Sequence, residues 1–248
     1  HVGSVQEDTR QFRTSPQLLQ WHARVDRYLH NRTSLANVGL VWSQQNIDFY
    51  GRDDAFERCA LPWRGMTAGL TRARIPFSPI HEAATPTDTS RFQTIVLPDV
   101  RVLSDEAVAR VHEFARAGGS LVISGLAGLL DTHGTPRPEW PFKGITGYTP
   151  TGHVHGVGSV PSSSWETREG HTYLRIAEAG RNAILNGFDG TDILPFGGTI
   201  HGFIRDESLP ISLEVRATFV PPSPIYPPEF SWMRTPQTET PAIIAGSL

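Results

Sequence analysis

From Thr94 to Gly128 the chain reads TIVLPDVRVLSDEAVARVHEFARAGGSLVISGLAG: an apolar run, an amphipathic stretch, a double glycine and a second apolar run. Such a unit predicts two parallel strands joined by a crossover helix. Ser104 is a good N-cap, and Asp105 and Glu106 put negative charge on the first turn, where the helix dipole favours it. Ala107, Val108, Val111, Phe114 and Ala115 recur at helical spacing on one face. Gly118 and Gly119 can take the left-handed conformation that ends a helix. Leu121, Val122 and Ile123 then read as a short buried strand of a parallel sheet with both faces covered.

The same pattern extends in both directions. Ser15 to Leu29 reads as a helix capped by Ser15, with Pro16 in its first turn and Leu18, Leu19, Trp21, Val25 and Leu29 on a broad apolar face. Asn37 to Trp42 is a first strand, followed by a polar loop, SQQNIDFYGRDD. Ala55 to Ala73 is a second helix, with a break at Pro62. Ile75 to Ile80 is a short strand whose Pro76 and Pro79 argue for a sheet edge. The order strand, helix, strand, strand, helix, strand predicts a three-layer α/β fold with a flavodoxin-like parallel sheet. Beyond Gly128 the texture changes. Asp131 to Ser164 is rich in Pro, Gly, Ser and Thr, while Thr172–Ile176, Thr199–Ile204 and Leu213–Phe219 read as added β-strands. The tail PPSPIYPPEFSWMRTPQTETP carries too many prolines for regular structure and predicts an extended surface segment.

Composition narrows the function classes. A length of 248 residues suffices for a substantial core, and a net charge of −3 gives no case for nucleic-acid or membrane-surface binding. No apolar run approaches the roughly 20 residues that span a bilayer. The polar start HVGSVQEDTRQFRTS shows no signal peptide, and a soluble protein is expected, with the cytoplasm favoured. The chain begins at His1 and stops after AIIAGSL, which reads as a piece of a longer polypeptide. The single cysteine, Cys59, excludes an internal disulfide framework and a Cys-based zinc site. Asn31-Arg32-Thr33 matches a glycosylation sequon, a pattern that arises often by chance.

Little of the sequence carries reactive chemistry. Amidotransferase-like folds place a nucleophilic cysteine on a tight turn after a strand, G-x-C-x-G, and here that turn reads Ser124-Gly125-Leu126-Ala127-Gly128. Leu126 holds the nucleophile position, and leucine cannot attack a carbonyl. Ser124, the nearest hydroxyl, reads as a turn former. His153-Val154-His155 would put two imidazoles on one strand face but lacks a nearby carboxylate, so a solvated polar face is expected and no metal. His112-Glu113 lies on the crossover helix and reads as surface. Asp48, Asp53, Asp54 and Glu57 follow the first strand and read as helix-start charges and solvated turn residues; Cys59 reads as a packed side chain. The strand-end crevice of the sheet, formed by Ser43, Gln44, Gln45, Asp99 and Ser124, is where a polar ligand or sugar would enter. Aromatic residues on irregular segments, Phe49 and Tyr50 after the first strand and Tyr226, Phe230 and Trp232 in the tail, suit a protein interface.

Four stretches, taken in order, carry a family resemblance: NVGLVWSQQNIDFYG, RFQTIVLPDVRVLSDEAVARVHEFARAGGSLVISG, NAILNGFDGTDILPFGG and VRATFVPPSPIYPPEFSWMRTPQTETPAIIA. Together the chain resembles the trimerisation domain of family 42 β-galactosidases and related glycoside hydrolases. The resemblance implies a class I glutamine amidotransferase-like fold, without catalysis or cofactor, following a TIM-barrel domain in the same parent chain. It also implies a homo-oligomer of the trimer type, with residues 1–35 as a connecting helical segment and 36–248 as the domain. The family's catalytic carboxylates lie in the barrel, so none is carried onto this sequence. Two other functions compete with assembly: a carbohydrate or small-ligand module at the strand-end crevice, and a hydrolase or amidotransferase-like enzyme using Ser124 or another displaced nucleophile.

Overall fold

The computed structural model describes residues 9–30, 33–156, 169–177, 181, 183–196, 198–211, 213–224 and 228–247. Its contacts divide the chain into two compact units, His1–Leu35 and Ala36–Leu248. The described residues of the first unit hold a helix, α1 (Thr9–Val25), continued by a 3-10 turn, Asp26–Tyr28. The helix starts before Ser15, so that residue is not its cap and Pro16 lies inside it. Leu18, Leu19 and Trp21 on this helix are exposed.

The second unit is built on a parallel sheet. Its strands are β1 (Val38–Trp42), β2 (Phe77–His81), β3 (Thr94–Pro98) and β4 (Ser120–Ser124), in the spatial order β2-β1-β3-β4. All three pairings are parallel, in continuous register such as Val96 beside Val122. This is the opening of the doubly wound order, whose reversal lies between β1 and β3. β2 is the edge strand, as Pro79 requires.

Alternation along each strand sorts side chains onto two faces. Val41, Ile95 and Leu97 join Ala107, Val111 and Phe114 of α3 (Asp105–Arg116) in the main core. Val38, Leu40 and Val96 face the other way, against Trp63, Met66 and Leu70 of α2 (Leu61–Arg72). The helix α3 is capped as the sequence predicts: the Ala107 N–H donates to Ser104 Oγ at 3.1 Å. Its end is closed by a bond from the Gly119 N–H to the Phe114 carbonyl at 3.0 Å.

β4 departs from expectation. Leu121 and Ile123 pack on the α3 core, but Val122 points to the α2 side and is 44% exposed. Among the described residues of this unit, α2 packs on β1 and β3 and leaves Val122 at this edge uncovered.

The polar stretch after β1 is not a loop. It coils as a π-helical turn, Asn46–Gly51, then a 3-10 turn, Arg52–Asp54, and a second π turn, Phe56–Ala60, before Pro62 opens α2. Proline fits the first turn of a helix because its missing N–H would be unpaired there.

Past β4, the 125–142 segment folds back over α3. Arg137 ties it down, donating to the Leu103 carbonyl at 2.8 Å and pairing with Asp105 at 2.5 Å. His112 is not a surface residue: it is half-buried, with Nε2 2.9 Å from the Pro141 carbonyl and its ring beside Phe142. A short helix, α4 (Lys143–Thr146), leads into β5 (Tyr148–Gly156), which pairs antiparallel with β8 (Thr199–Arg205). A second antiparallel sheet runs β10-β9-β6-β7, with β6 (Glu169–Ile176), β7 (Ile193–Pro195), β9 (Glu214–Pro224) and β10 (Pro241–Ala245).

The three later strands read from the sequence are therefore present, within β6, β8 and β9. The proline-rich tail is only partly irregular, because Pro221, Pro222 and Pro224 belong to β9. The register of β10 on β9 runs from Glu214 to Thr218, so among the described residues the prolines sit beyond it, where β9 pairs with β6 and the register shifts. A strand edge with irregular pairing is where proline is tolerated.

Candidate functional site

The turn after β4 is the one that the sequence compares with an amidotransferase nucleophile turn. Gly125 adopts φ +61°, and Leu126 itself has no left-handed φ. Leu126 and Ala127 are buried. The Leu126 N–H donates to Asp99 Oδ1 at 2.8 Å. Asp99, the residue after β3, lies in the left-handed region, φ +49°, a conformation that aspartate tolerates better than most residues. Its carboxylate lies so close that a Cβ added at Gly125 would stand 2.2 Å from Oδ1. Glycine is required there by both backbone angle and space.

Asp99 is also one member of a polar cluster. Arg101 Nε donates to Asp99 Oδ1 at 3.0 Å, and both side chains are largely buried. The Arg101 guanidinium stacks over the Tyr50 ring, 4.5 Å from its centroid. Its Nη2 lies 2.8 Å from Nε2 of His201 on β8. Burial, then the Arg101 charge, holds the His201 pKa below its usual value, so the imidazole stays neutral and accepts from the guanidinium. Burial raises the Tyr50 phenol, and Arg101 partly offsets it. This arrangement joins the ends of β3 and β4 to β8 and satisfies its own polar groups. It places a bonded carboxylate, not a nucleophile, at the turn.

The other crevice residues are engaged in the same way. Ser43 is buried; its Oγ accepts from the Asn46 N–H at 3.2 Å and donates to Gln45 Oε1 at 3.3 Å. Gln44 donates to Asp48 at 2.9 Å. Asn46, which the sequence did not single out, is buried; its Oδ1 accepts from the Val102 N–H at 3.0 Å, and its carbonyl accepts from the Cys59 thiol at 3.3 Å. Burial raises the Cys59 thiol and keeps it protonated. Ser124 ends β4 opposite Pro98. The structure thus brings Asp99 and Ser124 to adjacent strand ends and holds Ser43 and Asn46 as structural bridges at the end of β1.

The acidic run is solvated: Asp48, Asp53, Asp54 and Glu57 are exposed, and Asp54 pairs with Arg58 at 2.9 Å. His153 is exposed and His155 half-buried on β5. No group of three metal-ligating residues occurs among the described residues. Nor is any helix there long and apolar enough to cross a membrane.

Beside the polar bridges lies an apolar crevice of about 650 Å³ at the C-terminal ends of β1 and β3, with Pro79 of β2 in its wall. Trp42, Ile47, Phe56, Trp63 and Val100 line it, with Arg64 among the walls. Of the aromatic interface candidates, Phe49 and Trp232 are exposed, by 45% and 54%. Tyr50 is half-buried under Arg101. Phe230 closes a short 3-10 turn, Pro228–Phe230, and Tyr226 lies outside the described residues, as do Asn31 and Arg32 of the sequon.

Residues 70–144, which run from the last turns of α2 through β4 and the Gly125 turn, match the family model described as the β-galactosidase trimerisation domain. No curated protein matches the chain. Among solved structures, a β-galactosidase from Bacillus circulans sp. alkalophilus superposes with a TM-score of 0.65 at 13% identity, over 96% of this chain and 31% of that one. A catalytic mutant of a GH42 β-galactosidase from G. stearothermophilus gives 0.59 at 16% identity, over 92% and 29%. An α-L-fucosidase from Paenibacillus thiaminolyticus gives 0.52 at 15% identity, again over 92% and 29%. The chain spans about three-tenths of the length of these proteins. The 70–144 segment is thus similar to a β-galactosidase trimerisation domain, and the mixed α/β fold is shared with solved β-galactosidases, a GH42 enzyme among them.

Proposed function

We propose that the chain is the assembly domain of a glycoside hydrolase resembling β-galactosidase, holding copies of a longer parent together without catalysis of its own. The partners are further copies of the same chain, in a trimer-type arrangement, and a TIM-barrel catalytic domain of the same parent. The observation that carries this reading is the family match over 70–144, which spans the turn where Leu126 replaces a nucleophile and gives its N–H to Asp99. An acyl-transfer site needs a nucleophile, and this turn presents a buried leucine whose N–H is already bonded to a carboxylate.

Exposed Phe49 and Trp232 are the contacts proposed to be covered by a neighbour, since large apolar groups on irregular segments are typical interface anchors. The fucosidase among the structural neighbours shows that this fold accompanies more than one glycoside chemistry, so the parent's substrate class is set outside this chain.

Sedimentation of the parent protein over a range of concentrations tests the assignment. The expected result is an integral multiple of the single-chain mass, threefold in the simplest case. A parent that stays monomeric at micromolar concentration would overturn it.

A further inference from the structure

The apolar crevice beside the polar bridges is not used by the assembly reading. It lies where α/β sheets hold ligands: Trp42 ends β1 and Ser43 follows it, Pro98 ends β3 and Val100 lies just beyond, and the strand order reverses between these two strands. Its volume of about 650 Å³ is that of a pocket for a small organic molecule.

The chemistry of the walls decides the class of ligand. Trp42, Phe56 and Trp63 supply three aromatic rings, and Ile47 and Val100 supply aliphatic surface. The hydroxyl of Ser43 and the amide of Asn46 are already bonded to protein partners, so they offer little to a sugar, which needs many donors and acceptors. Two groups remain unmatched. The Trp63 Nε1–H is buried without an acceptor. Arg64, exposed and stacked 5.7 Å over the Phe56 ring, forms no ion pair among the described residues.

We propose that this crevice binds a flat, apolar small molecule bearing one anionic group, of which an aromatic carboxylate is the simplest member. The ring system lies among Trp42, Phe56 and Trp63, where burial and aromatic contact drive binding. The anionic group meets the Arg64 guanidinium, which pairs with carboxylates through a planar fork of donors. An unpaired cation above an aromatic wall also explains why the pocket discriminates: a neutral molecule of the same shape gains the apolar contact alone.

The test is a titration of the ¹⁵N-labelled 248-residue chain with 2-naphthoate, read at the tryptophan indole N–H resonances, with Trp63→Phe identifying one signal. The signals of Trp42 and Trp63 should move saturably, and that of Trp232 should not. Phe56→Ala and Arg64→Ala should each weaken binding by roughly tenfold, as should the neutral analogue 2-naphthalenemethanol. Galactose should shift neither signal. Phe56 and Arg64 are exposed, so both variants keep the fold, and unchanged resonances elsewhere verify that. Absence of a saturable shift at Trp42 and Trp63, equal affinity for the neutral analogue, or binding unaffected by both variants would each overturn the proposal.

Discussion

The carboxylate of Asp99 accepts the backbone N–H of Leu126 at 2.8 Å, across the gap between the ends of β3 and β4. The same carboxylate leaves room only for glycine at position 125, belongs to an Asp99 in a left-handed conformation, and pairs with Arg101 in a largely buried place. Asp99→Ala removes the acceptor and strands the guanidinium, and should cost about 2–4 kcal/mol of unfolding free energy. Asp99→Asn tolerates the same backbone angle and retains one acceptor, and should cost about half as much. Urea unfolding of the two variants provides the comparison.

Gly125→Ala and Gly118→Ala separate backbone strain from steric conflict. Both glycines have positive φ, +61° and +87°, so both alanines carry a strain of about 1 kcal/mol. A Cβ at Gly118 meets nothing within 4 Å, whereas one at Gly125 runs into Asp99. Gly125→Ala should therefore be the more damaging by at least about 1–2 kcal/mol. Equal thermal shifts for the two would contradict the packing of the turn.

Stability should fall on mild acidification in a way that depends on His201. Its folded-state pKa lies below the usual histidine value, so the unfolded chain takes up a proton first. The contribution is complete above the ordinary histidine range and is lost as pH falls through the folded value. Glu82 works in the opposite sense, because burial raises its carboxyl pKa and its charged form is the disfavoured one. His201→Gln keeps an acceptor for Arg101 and removes the titration. The difference in urea midpoint between pH 7.5 and 5.5 should be smaller in this variant than in the unaltered chain.

Leu126→Cys puts a thiol at the nucleophile position without making an enzyme. The side chain stays buried and its N–H stays on Asp99, so neither a reactive thiolate nor an oxyanion donor is produced. Glutamine and nitrophenyl glycosides should be left unhydrolysed by the variant and by the unaltered chain. Turnover that copurifies with the protein and vanishes on a single substitution would contradict a non-catalytic role.

The parallel sheet was legible because its signals are local. A capped amphipathic helix lies between two apolar runs, and Pro79 marks an edge strand, all within a few residues of one another. The exposure of Val122 was not legible, since an apolar residue on a strand does not say whether a helix reaches it. The π turns after β1 were hidden by a polar composition that normally marks loops. The prolines of β9 misled because their tolerance depends on how far β10 extends along the neighbouring edge. At the site, Asp99 and Ser124 could be placed at strand ends from sequence order alone. The pairing of Arg101 with His201 could not, because it joins residues one hundred positions apart. Asn46 carried no sign of burial beyond lying near the end of an apolar strand.

If this chain assembles its parent, light scattering of the full-length parent will report it. The unaltered protein should show a multiple of the single-chain mass, and the Phe49→Ala, Trp232→Ala double variant should move toward the monomer mass. Both residues are exposed in the isolated chain, so their removal leaves its fold intact. A double variant with unchanged mass and stability would contradict these contacts, and a monomeric parent at micromolar concentration would contradict the assembly role itself.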